Sequence, residues 1–255
     1  MHINLPELKI VPTKTLVLHE GFDIKRLNKV LSAIKKDKII KNPPIVAKIK
    51  PNQYVVLDGA NRVTAIKQLN ISHLIVQVID YLSKDIKLKT WNHFVYNLGN
   101  DEYDRIIRLA KQSGLCFVTN KKIKIKNTSR KNITTLLRFI NTLFALYKNK
   151  DFYRVLDNNP PISINKNINK ELLIIYPEFK PLNIIKITKK KLKMPAGITR
   201  HIINNRVIGV NIPLDCLKSR TTVREKNIYL QKLIQKKLYN NEVRYYNEPI
   251  ISLDD

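Results

Sequence analysis

Cysteine is nearly absent. Cys116 and Cys216 stand 100 positions apart, with no second thiol near either. This argues against a thiolate zinc site and against a disulfide framework. Long apolar runs are missing too: none approaches 18 residues, so no transmembrane helix is expected. The opening "MHINLPELKIVP" lacks a basic region followed by a long apolar one, which speaks against a secretory signal. A cytoplasmic protein is the expectation, with no membrane partner. Acidic residues are scarce, 20 against 47 Lys and Arg, for a net charge of +27. That balance favours an anionic partner such as nucleotide, nucleic acid or acidic lipid. Lys, Asn and Ile are abundant along the whole chain, however, so charge alone does not define a DNA-binding protein. No internal repeat or low-complexity linker interrupts the sequence. The 255 residues, 44% hydrophobic, suffice for one large domain or two small ones.

The first third alternates regularly. "LKIVPTKTLVLHE" reads as a strand or strand–turn pair. "IKRLNKVLSAIKKDK" sets Ile24, Leu27, Val30, Leu31 and Ile34 on one helical face. "NPPIVAKIK" and "YVVLDG" are strands around a polar Asn52-Gln53 turn, "NRVTAIKQLN" a helix, and "HLIVQVID" a buried strand. Residues 1–85 thus form a compact α/β unit, and the polar, lysine-rich stretch 80–89 suggests a boundary. Beyond it, "DEYDRIIRLAKQSG" is a helix closed by Gly114, and "NITTLLRFINTLFALYK" is a core helix. "NINKELLIIYPEFK" reads as a helix leading to a turn. Two β-rich runs around Asn204-Asn205 suggest a hairpin, and the C-terminal segment suggests a basic amphipathic helix followed by a strand.

The stretch "VVLDGANRVTAIKQL" is the first with chemical potential. A strand ending in Asp58-Gly59 and feeding a helix points backbone N–H groups outward, where they can hold a phosphate; Arg62 adds a charged fork. Asp58 could equally cap the helix, or hold a metal ion bridging phosphates.

Asp58-Gly59-Ala60-Asn61-Arg62, after the strand "VVL", resembles the phosphate turn of the ParB/sulfiredoxin fold. Sulfiredoxins carry a catalytic Cys where Ala60 stands, which excludes their chemistry. Chromosome-partitioning ParB proteins carry Gly-Glu-Arg-Arg at the turn, and this chain does not. Free L-serine kinases have Asp-Gly followed by His-Arg; this chain matches except for Asn61. Leu18-His19-Glu20 resembles the His-Glu of those kinases, whose Glu is the catalytic base. Met194-Pro195-Ala196-Gly197-Ile198-Thr199-Arg200 and Thr90-Trp91-Asn92-His93 are similar to segments of their siderophore-pathway branch.

The resemblance implies an α/β (α+β) protein. Residues 1–85 would be a ParB/sulfiredoxin-like nucleotide-binding domain, and residues 86–255 a mixed α+β domain completing the substrate site. It implies phosphoryl transfer from ATP or ADP, with Mg²⁺, to free L-serine, giving O-phospho-L-serine for a siderophore precursor or cysteine synthesis. Glu20 would be the base, and Asp58 a second catalytic group able to position Mg²⁺. Gly59, Ala60, Asn61 and Arg62 would bind phosphates; Trp91, Thr199, Arg200 and His201 would bind substrate, with Arg200 on the carboxylate. The alternative is a ParB-like DNA-binding regulator or partition protein, which the basic C-terminal helix favours and the lack of a clear helix-turn-helix opposes. Oligomeric state is not legible.

Overall fold

The computed structural model describes residues 5–84, 86–119, 121–127, 133–156 and 170–246. Two mixed five-stranded sheets and a pair of two-stranded ribbons make up its β structure.

The first sheet comes from the N-terminal third. β1 (Glu7–Pro12) and β2 (Leu16–Leu18) flank a single 3₁₀ turn, and α1 (Ile24–Asp37) follows. Asp23 caps α1 by accepting the Arg26 N–H at 3.0 Å. The short β3 (Ile39–Ile40) leads to β4 (Ile45–Lys50) and β5 (Gln53–Asp58), then α2 (Ala60–Gln68) and β6 (His73–Ile79). The strand order is β1-β6-β4-β5-β2, with β5 parallel to β2 and antiparallel to β4. The β2/β5 pairing matters most. It pairs Leu18 with Val56 in parallel, so His19-Glu20 and Asp58-Gly59 leave the sheet at the same end.

Ile86–Thr90, overlapping the polar stretch 80–89, forms β7; β8 (Asn92–Leu98), α3 (Asn100–Gln112), β9 (Cys116–Thr119), β10 (Lys122–Ile125) and α4 (Ile133–Tyr147) follow. Gly114 closes α3 with a φ of +65°, the left-handed cap expected from its place in the sequence. β11 (Phe152–Val155) and β12 (Lys170–Ile175) complete the second sheet, ordered β11-β8-β12-β10-β9. Here the sequence expectation fails: "KELLII" is a strand, not a helix. Leu172, Leu173 and Ile174 are all buried, because β12 lies between β8 and β10 and is covered on both faces. A strand buried that way reads as an unbroken apolar run and loses its period-2 signature. The preceding residues 167–169 lie outside the described residues.

α5 (Pro181–Lys189), β13 (Thr199–Ile203), β14 (Ile212–Pro213), α6 (Leu214–Lys218) and α7 (Val223–Tyr239) end the chain. The expected hairpin around Asn204-Asn205 is not formed. β13 pairs with β7 and β14 with β3, so the two β-rich runs find partners more than a hundred residues away instead of each other. Nor does a strand follow α7: residues 242–246 are irregular, and those after 246 lie outside the described residues. Ile212, Leu214, Leu217 and Leu230 return to the core of the first sheet, beside Ile10, Val63 and Leu74. A second core joins the other sheet to α3, α4 and α5.

Candidate active site

The end of β2 is locked to a distant segment by backbone alone. The Gly21 N–H donates to the Met194 carbonyl at 2.8 Å, and the Met194 N–H donates to the His19 carbonyl at 2.9 Å. Glu20 and Met194 form an isolated parallel bridge. The Trp91 N–H donates to Ile198 O at 2.8 Å. The Met194–Arg200 segment is thereby fixed against both the Glu20 loop and the β7–β8 junction. The result is a cleft of about 790 Å³ bordered by residues from all the sequence-predicted segments: Glu20, Asp58 to Arg62, Trp91 and Thr199 to His201. Six cationic side chains, from Arg26, Lys29, Arg62, Arg154, Arg200 and Arg206, face three carboxylates, Glu20, Asp23 and Asp58. Such an excess suits a polyanionic ligand.

At one pole stands the β5–α2 turn. Gly59 opens α2 with φ +93°, and a Cβ there would lie 2.9 Å from Pro44 Cβ and 3.0 Å from Arg62 Nη2. Glycine is thus required both for conformation and for space. Arg62 is more committed than its place in the motif implies. Its Nη1 donates to the Asn42 and Pro43 carbonyls at 2.8 and 3.2 Å, and its Nη2 to Asp58 Oδ2 at 3.1 Å. The same Oδ2 accepts from Arg206 Nη1 at 2.8 Å. Burial alone would raise the Asp58 carboxyl, but the charges of Arg62 and Arg206, with hydrogen bonds from Arg206 and the Gly59 amide, hold it below its ordinary range. Asn61 Oδ1 accepts the Asp23 N–H at 3.1 Å, tying the turn to the Glu20 loop.

A hydrogen-bonded chain runs behind Glu20. His19 is buried; its Nδ1–H donates to Val56 O at 2.7 Å, and its Nε2 is 2.8 Å from Thr199 Oγ1. Thr199 Oγ1 is also 2.9 Å from Glu20 Oε2. The Val56 carbonyl can only accept, so Nδ1 must carry a proton. Burial lowers the proton affinity of His19, outweighing the opposing pull of Glu20 and the Val56 hydrogen bond, so Nε2 is bare near neutrality. The single hydroxyl hydrogen of Thr199 then faces two acceptors, Nε2 and the Glu20 carboxylate. One added proton completes the chain: Glu20 O–H donates to Thr199, and Thr199 O–H to His19.

Of the remaining expected residues, Arg200 lies over the Trp91 ring, 4.7 Å from its centroid. His201 is buried and bonded to Tyr81 through Nε2, at 2.7 Å. Burial, aided by His19, pushes its pKa down to about 3, so it is a neutral wall of the cleft. His93, from the Trp91 stretch, lies in an aromatic cluster and bonds Tyr147 at 2.9 Å; burial pushes its pKa down to about 3 as well. Asp58 has its Oδ2 held by two guanidinium groups, which leaves Oδ1 as the oxygen that could face a metal ion. Among the described residues no group of three or more His, Cys, Asp or Glu could hold a metal ion. An all-protein Mg²⁺ cage is therefore not offered by these residues, whereas a Mg²⁺ shared with nucleotide phosphates needs only one or two carboxylates.

Sequence reasoning missed Arg206 and Arg154. Arg206 follows the Asn204-Asn205 turn and was read inside a hairpin that does not exist. Arg154 belongs to β11, a four-residue strand with no pattern to single it out.

Fold and cleft together define an α/β protein with a cationic cleft at paired strand ends and one carboxylate, Glu20, linked through Thr199 to the buried His19. No protein-family model matches the chain. It is 24% identical over 246 residues to the ATP-dependent L-serine kinase SbnI of Staphylococcus aureus, covering 92% of this chain and 93% of that protein. It is 23% identical over 197 residues to a ParB-like protein of Sulfolobus acidocaldarius, covering 77% and 90%. In three dimensions it shares its fold with SbnI truncated at its C-terminus (TM-score 0.72, 23% identity, 90% of this chain and 96% of that one). A free serine kinase in complex with AMP also shares the fold (TM-score 0.59, 14% identity, 85% and 98%).

Proposed function

We propose that the protein is a free L-serine kinase, transferring the terminal phosphoryl group of ATP to the serine hydroxyl to give O-phospho-L-serine and ADP. ADP as donor, giving AMP, is the variant to test beside it. The observation that carries the reading is Glu20, held by the Met194 backbone between the β5–α2 turn and the Trp91/Thr199 wall, with a chain behind it that gains a hydrogen bond on protonation. The similarity to the S. aureus L-serine kinase over nine-tenths of both chains supports it.

In this reading the phosphates lie on the first-turn amides of α2, from Gly59 to Asn61, with Arg62 and Arg206 around Asp58 as the cationic wall. Glu20 accepts the hydroxyl proton as the serine oxygen–phosphorus bond forms and the bond to the leaving phosphate oxygen breaks. Asp58 sets the two guanidinium groups and does not act as an acid or base. Mg²⁺ enters as part of the nucleotide substrate, carried by the phosphates. Residues 1–85 would supply the nucleotide side and residues 86–255 would complete the acceptor side. The enzyme would work in the cytoplasm, feeding a siderophore precursor or cysteine synthesis.

The test is purified protein with L-serine, MgATP or MgADP, followed by ³¹P NMR. Phosphoserine from wild type, with a loss of about 100-fold or more in Glu20→Gln, is expected. No product with either donor, or an unimpaired Glu20→Gln, refutes the reading. DNA binding is a second reading, favoured by the exposed Arg224, Lys232 and Lys236 of α7. It requires preference for one sequence over others, beyond the steep salt dependence that any basic surface shows.

A further inference from the structure

The cleft cations are not equivalent. Arg62 and Arg206 share Asp58 and backbone carbonyls, and Arg200 rests on Trp91. Arg26 and Lys29 are exposed. Arg154 is partly buried, borders the cleft, and has no hydrogen-bond or ion-pair partner among the described residues; its Nε is out of contact with solvent and unbonded. A guanidinium N–H buried without an acceptor is costly, and the cleft-facing remainder of the group is free to take one from a ligand.

Its position is fixed from the far side by Gly197. A Cβ at residue 197 would fall 2.1 Å from Arg154 Nη2 and 2.3 Å from its Cζ, so the guanidinium occupies the space of the missing side chain. Gly197 also has φ +73°. β11 places Arg154 opposite His93, two residues beyond Trp91. The charges Arg154 senses are Arg26, Glu20 and Asp23, whereas those acting on Asp58 are Arg62 and Arg206. Arg154 thus stands apart from the Arg62–Arg206 pair on Asp58, on the side of the cleft built by Gly197 and the β8–β11 pairing.

We propose that Arg154, seated on Gly197, binds the α-carboxylate of the acceptor amino acid and sets the enzyme's selectivity for it. This rests on the kinase reading above and moves the carboxylate contact from Arg200 to Arg154. A serine with its hydroxyl at Glu20 carries its carboxylate two carbons further on, away from the phosphates and toward this side of the cleft. A guanidinium fork there pairs the two carboxylate oxygens.

The experiment compares wild type, Arg154→Ala, Arg154→Lys and Gly197→Ala by titration calorimetry with L-serine and, separately, with a non-hydrolysable ATP analogue. Steady-state rates on L-serine and on ethanolamine, which keeps the hydroxyl and ammonium but lacks the carboxylate, complete it. Arg154→Ala should weaken L-serine binding and raise its KM by about ten- to a hundredfold. The serine-over-ethanolamine ratio of kcat/KM should fall by the same factor, with nucleotide affinity unchanged. Arg154→Lys should lie between, and Gly197→Ala should reproduce the loss by displacing the guanidinium. Unchanged serine affinity and selectivity in Arg154→Ala, or a parallel loss of nucleotide affinity, overturns the proposal. If wild type makes no phosphoserine, the kinase reading falls while the L-serine titration still decides this one: loss of serine binding in Arg154→Ala sustains it, and no serine binding by wild type overturns it.

Discussion

Replacing Thr199 with Val removes one hydroxyl from the middle of the His19–Thr199–Glu20 chain while nearly preserving shape. Thr199 is 8% exposed and His19 1%, so water does not readily replace the lost oxygen. His19 Nε2 is left buried without a partner, which costs about 1–3 kcal/mol of stability. Glu20 loses the neighbour 2.9 Å away that would hold its protonated form. A hydrogen bond to a charged group is worth about 1.5–3 kcal/mol. If it is realised as the proton arrives, kcat falls by about ten- to a hundredfold, with little change in the KM for nucleotide. Thr199→Ser keeps the oxygen and should recover most of the rate. The assay is initial-rate phosphoserine formation beside calorimetric melting. A Thr199→Val variant with wild-type kcat refutes the proton-receiving role of the chain, whatever its stability. Equal losses in Val and Ser variants would show that the methyl packing, not the hydroxyl, carried the effect.

Gly59→Ala places a side chain at φ +93° against Pro44 and the Arg62 guanidinium. A loss of about 2 kcal/mol, or about 4–8 °C in Tm, is expected together with weakened nucleotide binding; a variant with unchanged Tm and nucleotide affinity contradicts the strained-turn account. Acid should destabilise the fold earlier than carboxylate titration alone would. Burial lowers the proton affinity of His19, His93 and His201, the latter two to about 3, while the unfolded chain titrates near the ordinary value of 6.5. Their neutral forms support the fold fully above about pH 6.5, and that support is lost as pH falls from there toward 3, at up to about 1.4 kcal/mol per pH unit for each independent histidine. His19 and His201, with ring centroids 5.5 Å apart, are not independent, so less than the threefold sum is expected. Melting at pH 7.5, 6 and 5 measures it, and a flat Tm across that range rules it out.

Much of the fold near the site was legible because its signals are local. The α1 face, the Asp58-Gly59 turn and the Gly114 cap all declare themselves within a few residues. What failed depends on partners far along the chain. β12 reads as helical or strand-like according to what covers it, and its coverage by β8 and β10 is not written in "KELLII". The two runs around Asn204-Asn205 have the composition of a hairpin, but β7 and β3 offer the edges they take. The site divides in the same way. Glu20, the turn and Thr199-Arg200 were visible as motifs, and the structure brings them to one cleft. The partners that decide what each side chain is free to do, such as Arg206 on Asp58 and Trp91 under Arg200, are tertiary and were not.

Asn61 shows why those partners matter more than the motif letter. Beside the His-Arg of the kinases it resembles, an Asn reads as a loss of charge next to the phosphates. In the fold, Asn61 Oδ1 accepts the backbone N–H of Asp23, three residues beyond Glu20, while the Met194 bridge holds the same loop from the opposite side. The residue thus couples the phosphate turn to the loop that carries the base, and its own NH₂ has no partner among the described residues. Charge at this pole does not rest on residue 61 either, because Arg62 and Arg206 together exceed the single negative charge of Asp58. The neutral side chain therefore sits where alignment of the base with the phosphates is at stake, and the positive charge that a His could have carried is supplied by a guanidinium arriving from 145 residues away in sequence.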